Sequence, residues 1–307
     1  MGARAGRRGL FEGRAELGVY GFADAGRFAA RLTALLGVPG AALAEHRFPD
    51  GESLVRAPGA IARHAVLVRG LDDPNAKLVE VLLAADALRR AGASRLTLVA
   101  PYLPYMRQDA VFEPGEPNSQ LVVGRLLAQA FDAVLTVEAH LHRVDDLAAV
   151  AGPGARSLSA AAEIRDWIER HAPGALVVGP DIEATSWTKT IATAGGLPWI
   201  VGSKQRHGDR RVTIDFTDVP EVRRAVIVDD IASSGATLAV AARRLRRHGI
   251  RSIDALVVHA IFAPGAARRI REAGVRRIVS SDTIVHRSNA FSVAGVIAAA
   301  LAPGGEG

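Results

Sequence analysis

Val226–Thr237, VIVDDIASSGAT, decides the fold. Together with Ala225 it runs from apolar residues into the carboxylates Asp229 and Asp230, then into small residues from Ala232 to Ala236, with a helix expected from Thr237. A short apolar strand that ends in acids places them at the carboxyl edge of a parallel sheet, where open α/β folds bind ligands. Ser233, Ser234, Gly235 and Ala236 let backbone N–H groups close round an anion, and the following helix contributes the positive end of its dipole. Ser233, Ser234 and Thr237 add hydroxyl donors for a phosphate, while the paired acids suit the vicinal hydroxyls of a sugar. A serine N-cap after a buried strand would account for part of the stretch. The whole order reads as one segment holding both a sugar diol and its phosphate.

The rest of the chain repeats the strand-then-helix rhythm. LGVY precedes a helix expected near Ala23–Leu36; AVLVRG (Ala65–Gly70) precedes one near Asn75–Ala91; LTLVA (Leu96–Ala100) leads through a long loop to one near Ser119–Ala130. AVLTVEAH (Ala133–His140) closes the first half. The second half offers a helix near Ser159–His171, ALVVG (Ala175–Gly179), a helix near Ile182–Ala194, LPWIVGSK (Leu197–Lys204) and RVTI (Arg211–Ile214). After Ala225–Asp230 come a helix near Thr237–His248, IDALVVHA (Ile253–Ala260), a helix near Gly265–Glu272 and RRIVSS (Arg276–Ser281). Such alternation implies parallel sheets with crossover helices. The Gly/Pro-rich Ala151–Arg156 is the expected linker, giving domains at 15–152 and 153–288. A final helix near 289–302 is expected to pack back on the first. The first fourteen residues read as a basic extension without periodicity.

At 307 residues, 49% hydrophobic and 23% charged, the chain has the profile of a globular protein with room for two domains. No apolar run reaches the roughly 18 residues of a membrane span. Without cysteine there is no disulfide framework, thiolate nucleophile or zinc knuckle, and no signal-peptide core opens the chain; the cytoplasm is the expected location. The net charge of +6 is spread along the chain. Arg243, Arg244, Arg246, Arg247 and Arg251 cluster, but no aromatics interleave with them, so neither nucleic acid nor membrane is expected as a partner. Only Lys77, Lys189 and Lys204 are lysines among 38 basic residues, which makes each retained lysine informative.

VIVDDIASSGAT resembles the fingerprint of type I phosphoribosyl-binding proteins, the fold family of phosphoribosyltransferases and ribose-phosphate pyrophosphokinase. Segments spread over much of the chain resemble the pyrophosphokinase. RFPDGE (Arg47–Glu52) is similar to its adenine-binding hairpin, PYLPYMRQD (Pro101–Asp109) to its PYxxYxRQD segment, and FEPGEPNS (Phe112–Ser119) to the continuation. TVEAHLH (Thr136–His142) resembles its V-D-x-H, GPD (Gly179–Asp181) its metal and ribose segment, and SKQR (Ser203–Arg206) its catalytic K-x-R on a loop after a strand. The resemblance implies two tandem type I phosphoribosyltransferase-like α/β domains, each a mainly parallel sheet flanked by helices. It implies transfer of a diphosphoryl group from MgATP to ribose 5-phosphate. In the roles it implies, Phe48, Asp50, Glu52, Arg107, Gln108 and Asp109 bind ATP; Asp229, Asp230, Ser233, Ser234, Gly235, Ala236 and Thr237 bind ribose 5-phosphate. His140 and Asp181 help hold Mg2+, and Lys204 and Arg206 stabilise the transferring group. A homo-oligomer with adenine sites near subunit interfaces is also implied.

The chain departs from the family pattern at two places. Glu183 and Ala184, followed by Trp187, stand where many members have two glycines, which puts backbone contacts there in question. Ser233 replaces an aspartate and Ala236 a common glycine, although serine keeps an anion donor. Two other readings stay open: a non-catalytic regulatory homologue, and a phosphoribosyltransferase, which would leave RFPDGE, RQD and K-x-R without a purpose. No Walker A or protein-kinase set is present, so ATP falls to the first-domain segments.

Overall fold

In a computed structural model of the chain, residues 15–141, 143–207 and 211–302 are described; the N-terminal extension and His142 lie outside them. Five-residue runs such as His64–Val68, Arg95–Val99 and Ala133–Val137 are buried along all but their first residue. Continuous burial of this kind belongs to parallel strands covered on both faces.

The strands of the first half are β1 (Leu17–Gly21), β2 (Gly40–Ala42), β3 (Ala44–Arg47), β4 (Ser53–Arg56), β5 (His64–Val68), β6 (Arg95–Val99), β7 (Ala133–Val137) and β8 (Ala155–Leu158). Six form a sheet in the order β2-β1-β5-β6-β7-β8, while β3 and β4 make a separate antiparallel hairpin. The connecting helices are α1 (Gly26–Leu36), α2 (Pro74–Arg90), α3 (Ser119–Ala130) and the short α4 (Ala148–Ala151). In the second half, β9 (Leu176–Gly179), β10 (Trp199–Val201), β13 (Arg224–Ala232), β14 (Ser252–Ala260), β15 (Val275–Ser281) and β16 (Asn289–Phe291) form a sheet in the order β10-β9-β13-β14-β15-β16. Between β10 and β13, β11 (Ser203–His207) and β12 (Arg211–Asp215) form an antiparallel ribbon. The helices here are α5 (Ala161–His171), α6 (Thr185–Thr193), α7 (Ala236–Arg247), α8 (Ala266–Glu272) and α9 (Ala294–Leu301).

Each sheet carries its first strand inside and its second at the edge, so the order reverses between β1 and β5 and again between β9 and β13. At such a reversal two successive connections leave on opposite faces and open a crevice at the carboxyl ends of the strands. Residues following β1 and β5, and those following β9 and β13, are thereby placed for ligands. Of the described residues, one compact unit holds those within Met1–Thr136, Val144–Arg156 and Ile297–Gly307, and the other those within Val137–Arg143 and Ser157–Val296. No helix among the described residues is long and apolar enough to cross a membrane.

Four local expectations need correction. Ala151–Arg156 is no linker: Ala151 ends α4, Gly152 caps it at φ +88°, and Ala155 opens β8. A Cβ on Gly154 would lie 2.2 Å from the Asp132 carbonyl, so that glycine serves close approach. The last helix begins at Ala294, because Asn289–Phe291 extends the second sheet. Lys204 and Arg206 lie on a strand of the β11–β12 ribbon, where a loop was expected. Finally, β13 continues two residues beyond the expected end at Asp230, to Ala232, and α7 starts at Ala236, one residue early.

At the amino-terminal side of the second sheet, Asp254 is almost wholly buried, yet Arg276 and Arg277 reach its Oδ2 at 3.0 and 2.7 Å. Arg277 also lies over the Trp167 ring and donates to the His171 carbonyl. Burial alone would raise the Asp254 carboxyl, but the hydrogen bonds from Arg277 and Arg276 outweigh it and hold the group below its ordinary value. A depressed folded value gives stability that is present above the unfolded carboxylate value of about 3.9 and is lost as pH falls through the folded one. Urea unfolding of the protein and of Asp254→Asn should therefore give stabilities that converge as pH falls from about 5 to about 2. A gap that stays constant over that range would mean Asp254 is not the linked group.

Candidate active site

The phosphate segment is built by β13 and α7. Ala225–Val228 are buried at 0–1% exposure, whereas Asp229 and Asp230 are half-buried where the strand leaves the core. Only Ser233–Gly235 separate strand and helix. Gly235 takes φ +70° at the N-cap of α7 and has no side chain with which to cap it. The first-turn N–H groups of a helix have no intrahelical acceptor; Ser234 Oγ takes the Ala236 N–H at 3.3 Å, and the N–H groups after it are positioned for an anion. The loop is anchored through its carbonyls: Ser233 accepts from the Ala263 N–H at 3.1 Å and Ser234 from Arg269 Nη1 at 2.7 Å. Two acceptors are thus turned to the α8 side, and Ser233, half-buried, and Ser234, exposed, offer hydroxyls.

Asp230 Oδ2 lies 2.5 Å from His140 Nδ1, which brings together two residues 90 positions apart. Burial would raise the Asp230 carboxyl; the His140 hydrogen bond and charge overcome it and leave Asp230 below the ordinary carboxylate range. An ionised Asp230 makes Nδ1 the donor. Asp181 follows β9, in extended conformation ahead of a short 3-10 turn at Ile182–Ala184 that carries Glu183. The reversal between β9 and β13 therefore places Asp181 and Asp229–Asp230 at one sheet edge. Among the described residues no three His, Cys, Asp or Glu side chains are grouped to hold a metal.

Sequence reasoning missed the residues behind His140. Glu138 sits in the left-handed region at φ +41°, a conformation that costs a non-glycine residue roughly 1–2 kcal/mol. Its Oε1 accepts from Ser159 Oγ at 2.7 Å, the Ala160 N–H at 2.6 Å and Trp187 Nε1 at 2.8 Å. Burial nevertheless pushes the Glu138 carboxyl up, and the neighbouring Asp230 adds to this. Trp187, conspicuous in the sequence as a departure, is thus tied to the V-E-A-H strand end. His259, at the end of β14, is fully buried and pushed down to about 4.

In the first unit, Phe48, Asp50 and Glu52 occupy the β3–β4 hairpin tip. Phe48 is 40% exposed and meets His46 edge-on; Gly51 turns at φ +96°. Asp50 Oδ1 accepts from the Glu52 N–H at 3.1 Å, so part of that carboxylate serves the turn. Gln108 and Asp109 are pinned to the start of α3: Gln108 Oε1 accepts from Ser119 Oγ at 2.6 Å, and the Asp109 carbonyl from Asn118 Nδ2 at 2.9 Å. Arg107 is exposed and Asp109 buried. Lys204 and Arg206 pair through their backbones with Ile214 and Val212.

The hairpin is held by a group the motifs did not reveal. Arg69, at the end of β5 and only 5% exposed, pairs with Glu80 at 2.8 Å and Asp24 at 3.4 Å, and lies over the Phe22 ring. Glu80 also accepts from Ser53 Oγ at 2.7 Å, at the foot of β4. Lys77, one of the three lysines, bonds Asp72 at 2.9 Å and Asp24 at 3.2 Å. Glu80→Ala should remove about 3 kcal/mol of stability, the low end for a broken buried pair because Asp24 still faces Arg69. Urea unfolding checks this, and KM for ATP should rise while that for the sugar phosphate holds.

A profile of the N-terminal domain of ribose phosphate pyrophosphokinase matches residues 19–130, and one of the phosphoribosyl transferase domain matches 159–294. The ribose-phosphate pyrophosphokinase of Methanopyrus kandleri is 34% identical over 261 residues, 84% of this chain and 89% of its own. The chain belongs to the ribose-phosphate pyrophosphokinase family. Ribose-phosphate pyrophosphokinase 2 of Archaeoglobus fulgidus is likewise 34% identical, over 82% of this chain and 88% of its own. The crystal structure of phosphoribosylpyrophosphate synthetase from Mycobacterium smegmatis matches with a TM-score of 0.79 at 25% identity, covering 92% of this chain and 96% of that one. The two-sheet α/β architecture expected for a ribose-phosphate pyrophosphokinase is therefore the one this chain has.

Proposed function

We propose that this ribose-phosphate pyrophosphokinase transfers the diphosphoryl group of ATP to the anomeric hydroxyl of ribose 5-phosphate, giving phosphoribosyl pyrophosphate and AMP. The anomeric oxygen forms a bond to the β-phosphorus, the bond from β-phosphorus to the α–β bridging oxygen breaks, AMP leaves with that oxygen, and the hydroxyl proton is released. The observation that supports the reading is that the chain carries two α/β sheets of the same strand pattern, each with a reversal of strand order, together with the β3–β4 hairpin and the β11–β12 ribbon. A phosphoribosyltransferase requires only the second sheet.

In the second unit, Ser233, Ser234, Gly235, Ala236 and Thr237 take the 5-phosphate at the start of α7, and Asp229 and Asp230 accept from the ribose hydroxyls. In the first, Phe48 stacks on adenine, Asp50 and Glu52 accept from its amine, and Arg107, Gln108 and Asp109 meet the remainder of ATP. Lys204 and Arg206 stabilise charge developing on the diphosphoryl oxygens. His140 and Asp181 would help hold a magnesium ion that arrives on ATP and keeps substrate oxygens as most of its ligands, since among the described residues no three His, Cys, Asp or Glu side chains are grouped to hold a metal by themselves. Bound there, it neutralises charge on the transferring group. The exposed Phe48, at 40%, and Val111 and Phe112, at 57%, lie close in sequence to the ATP residues and favour a homo-oligomer that covers apolar surface there.

Incubating the protein with ribose 5-phosphate and MgATP should release AMP in step with phosphoribosyl pyrophosphate. ADP as the product would mean single-phosphoryl transfer, and no nucleotide product would favour a regulatory, non-catalytic homologue.

A further inference from the structure

We infer that His259 is a positioning residue for the sugar and metal site: it clamps the peptide from Val137 to Glu138 and so fixes the direction in which His140 meets Asp230. The inference rests on the function proposed above. His259 Nε2 lies 3.0 Å from the Val137 carbonyl and 3.3 Å from that of Glu138. Nδ1 lies 3.0 Å from Thr283 Oγ1. The register of β13 with β14 sets His259 opposite Ile231, the residue after Asp230. One imidazole therefore ties β14, the strand paired with β13 beside Asp230, to the chain two residues before His140.

The hydrogen bonds assign the tautomer. A carbonyl can only accept, so Nε2 carries the proton and donates to Val137. Complete burial keeps the ring neutral, so Nδ1 must accept, and the Thr283 hydroxyl donates to it. The Val258 carbonyl, also within reach of Thr283, then receives Ser281 Oγ at 2.7 Å. Every proton is accounted for with one orientation of the ring.

The clamp sits where the backbone needs it. Glu138 holds φ +41°. Such a residue persists only when its surroundings over-determine it. Its N–H donates to the Leu158 carbonyl at 2.9 Å and its carboxyl takes three donors, while the carbonyl side of the turn rests on His259. Without the imidazole the turn can relax towards ordinary backbone, and His140 moves with it. A displacement of about 1 Å in a catalytic array is enough to cost roughly a hundredfold in rate.

Steady-state kinetics and 15N-histidine spectra of His259→Leu, His259→Gln and Thr283→Val test this. We expect wild-type His259 to show the Nε2–H pattern, and kcat in His259→Leu to fall roughly 10–100-fold, the range for a lost outer partner of a metal-site histidine. KM for ATP should be unchanged, the His140 resonances should shift, and His259→Gln, whose amide can donate to Val137, should recover most of the rate. Thr283→Val keeps the shape and removes the donor to Nδ1, so it should show the same changes on a smaller scale even if His259→Leu does not fold. An Nδ1–H pattern in the wild type, or unmoved His140 resonances in the variants that fold, overturns the inference; so does a kcat that falls only in step with thermal stability. If the wild type itself makes no AMP, the proposed reaction fails, while the His140 resonances still decide whether His259 positions that ring.

Discussion

Lys204→Ala should lower kcat about 10²–10³-fold while leaving KM for ATP and for ribose 5-phosphate close to their original values. The expectation rests on where charge develops. As the β-phosphorus passes between the sugar and the leaving AMP, negative charge spreads over oxygens that carried less of it in bound ATP, so a cation placed for that stage lowers the barrier without tightening the ground state. In the β11–β12 ribbon the backbones of Lys204 and Arg206 are paired with those of Ile214 and Val212, so the K-x-R segment is carried by strand pairing. Arg206→Ala should reduce kcat similarly, and the double variant should cost less than the product of the single losses, because the two cations act on one group. Steady-state kinetics with calorimetric titration of ATP checks this; equal losses in turnover and binding, or no loss, would remove Lys204 from the transition state.

The ligand segments were legible because their chemistry is written locally. VIVDDIASSGAT, RFPDGE and RQD each put strand, turn and polar groups within a dozen residues, and the alternation of apolar runs gave both sheets. What failed was conformation at places where glycine and proline carry two meanings. Gly152 and Gly154 read as linker residues in the sequence, yet one caps a helix and the other admits a carbonyl, which hides β8. The strand ending in Asp229 and Asp230 is legible, but its continuation through Ile231 and Ala232 is not, because the small residues that follow read as loop.

The supporting residues were not legible at all. His259 finds the Val137 carbonyl 122 residues away, Trp187 finds Glu138 at 49, and Arg69 meets Asp24 and Glu80 from separate elements. Each is a single side chain in an otherwise ordinary strand or helix, and only the fold supplies its partner. One signal was available: Lys77, retained in an arginine-rich chain, does belong to such a group. Trp187 shows the converse, since it stands out in the sequence beside Glu183 and Ala184 and the structure joins it to Glu138 by a hydrogen bond. The V-E-A-H strand end and α6 are thus joined by one side-chain hydrogen bond.

Gly235→Val should raise KM for ribose 5-phosphate roughly 10–100-fold, equivalent to losing one charge-assisted hydrogen bond of about 1.5–3 kcal/mol, with KM for ATP unaffected. Two separate strains force this. At φ +70° a residue with a Cβ pays roughly 1–2 kcal/mol in backbone energy alone. The Cβ would also lie 2.8 Å from Ile270 Cδ1 and 3.2 Å from the Ala266 carbonyl. Ile270 is fully buried in the core of the second unit, and Ala266 opens α8, so neither can yield cheaply. The loop must move instead, and it is held on the same side by the Ser233–Ala263 and Ser234–Arg269 hydrogen bonds. Any shift therefore carries Ser233, Ser234 and the first N–H groups of α7 away from the phosphate together. Gly235→Ala should show the same selectivity on a smaller scale, because it introduces the backbone strain and the Ile270 contact without the branched methyl groups. Kinetics of both variants against each substrate, with urea unfolding to separate loss of stability from loss of binding, would check the assignment; a parallel rise in KM for ATP would place Gly235 in the fold of the unit and not in the phosphate loop.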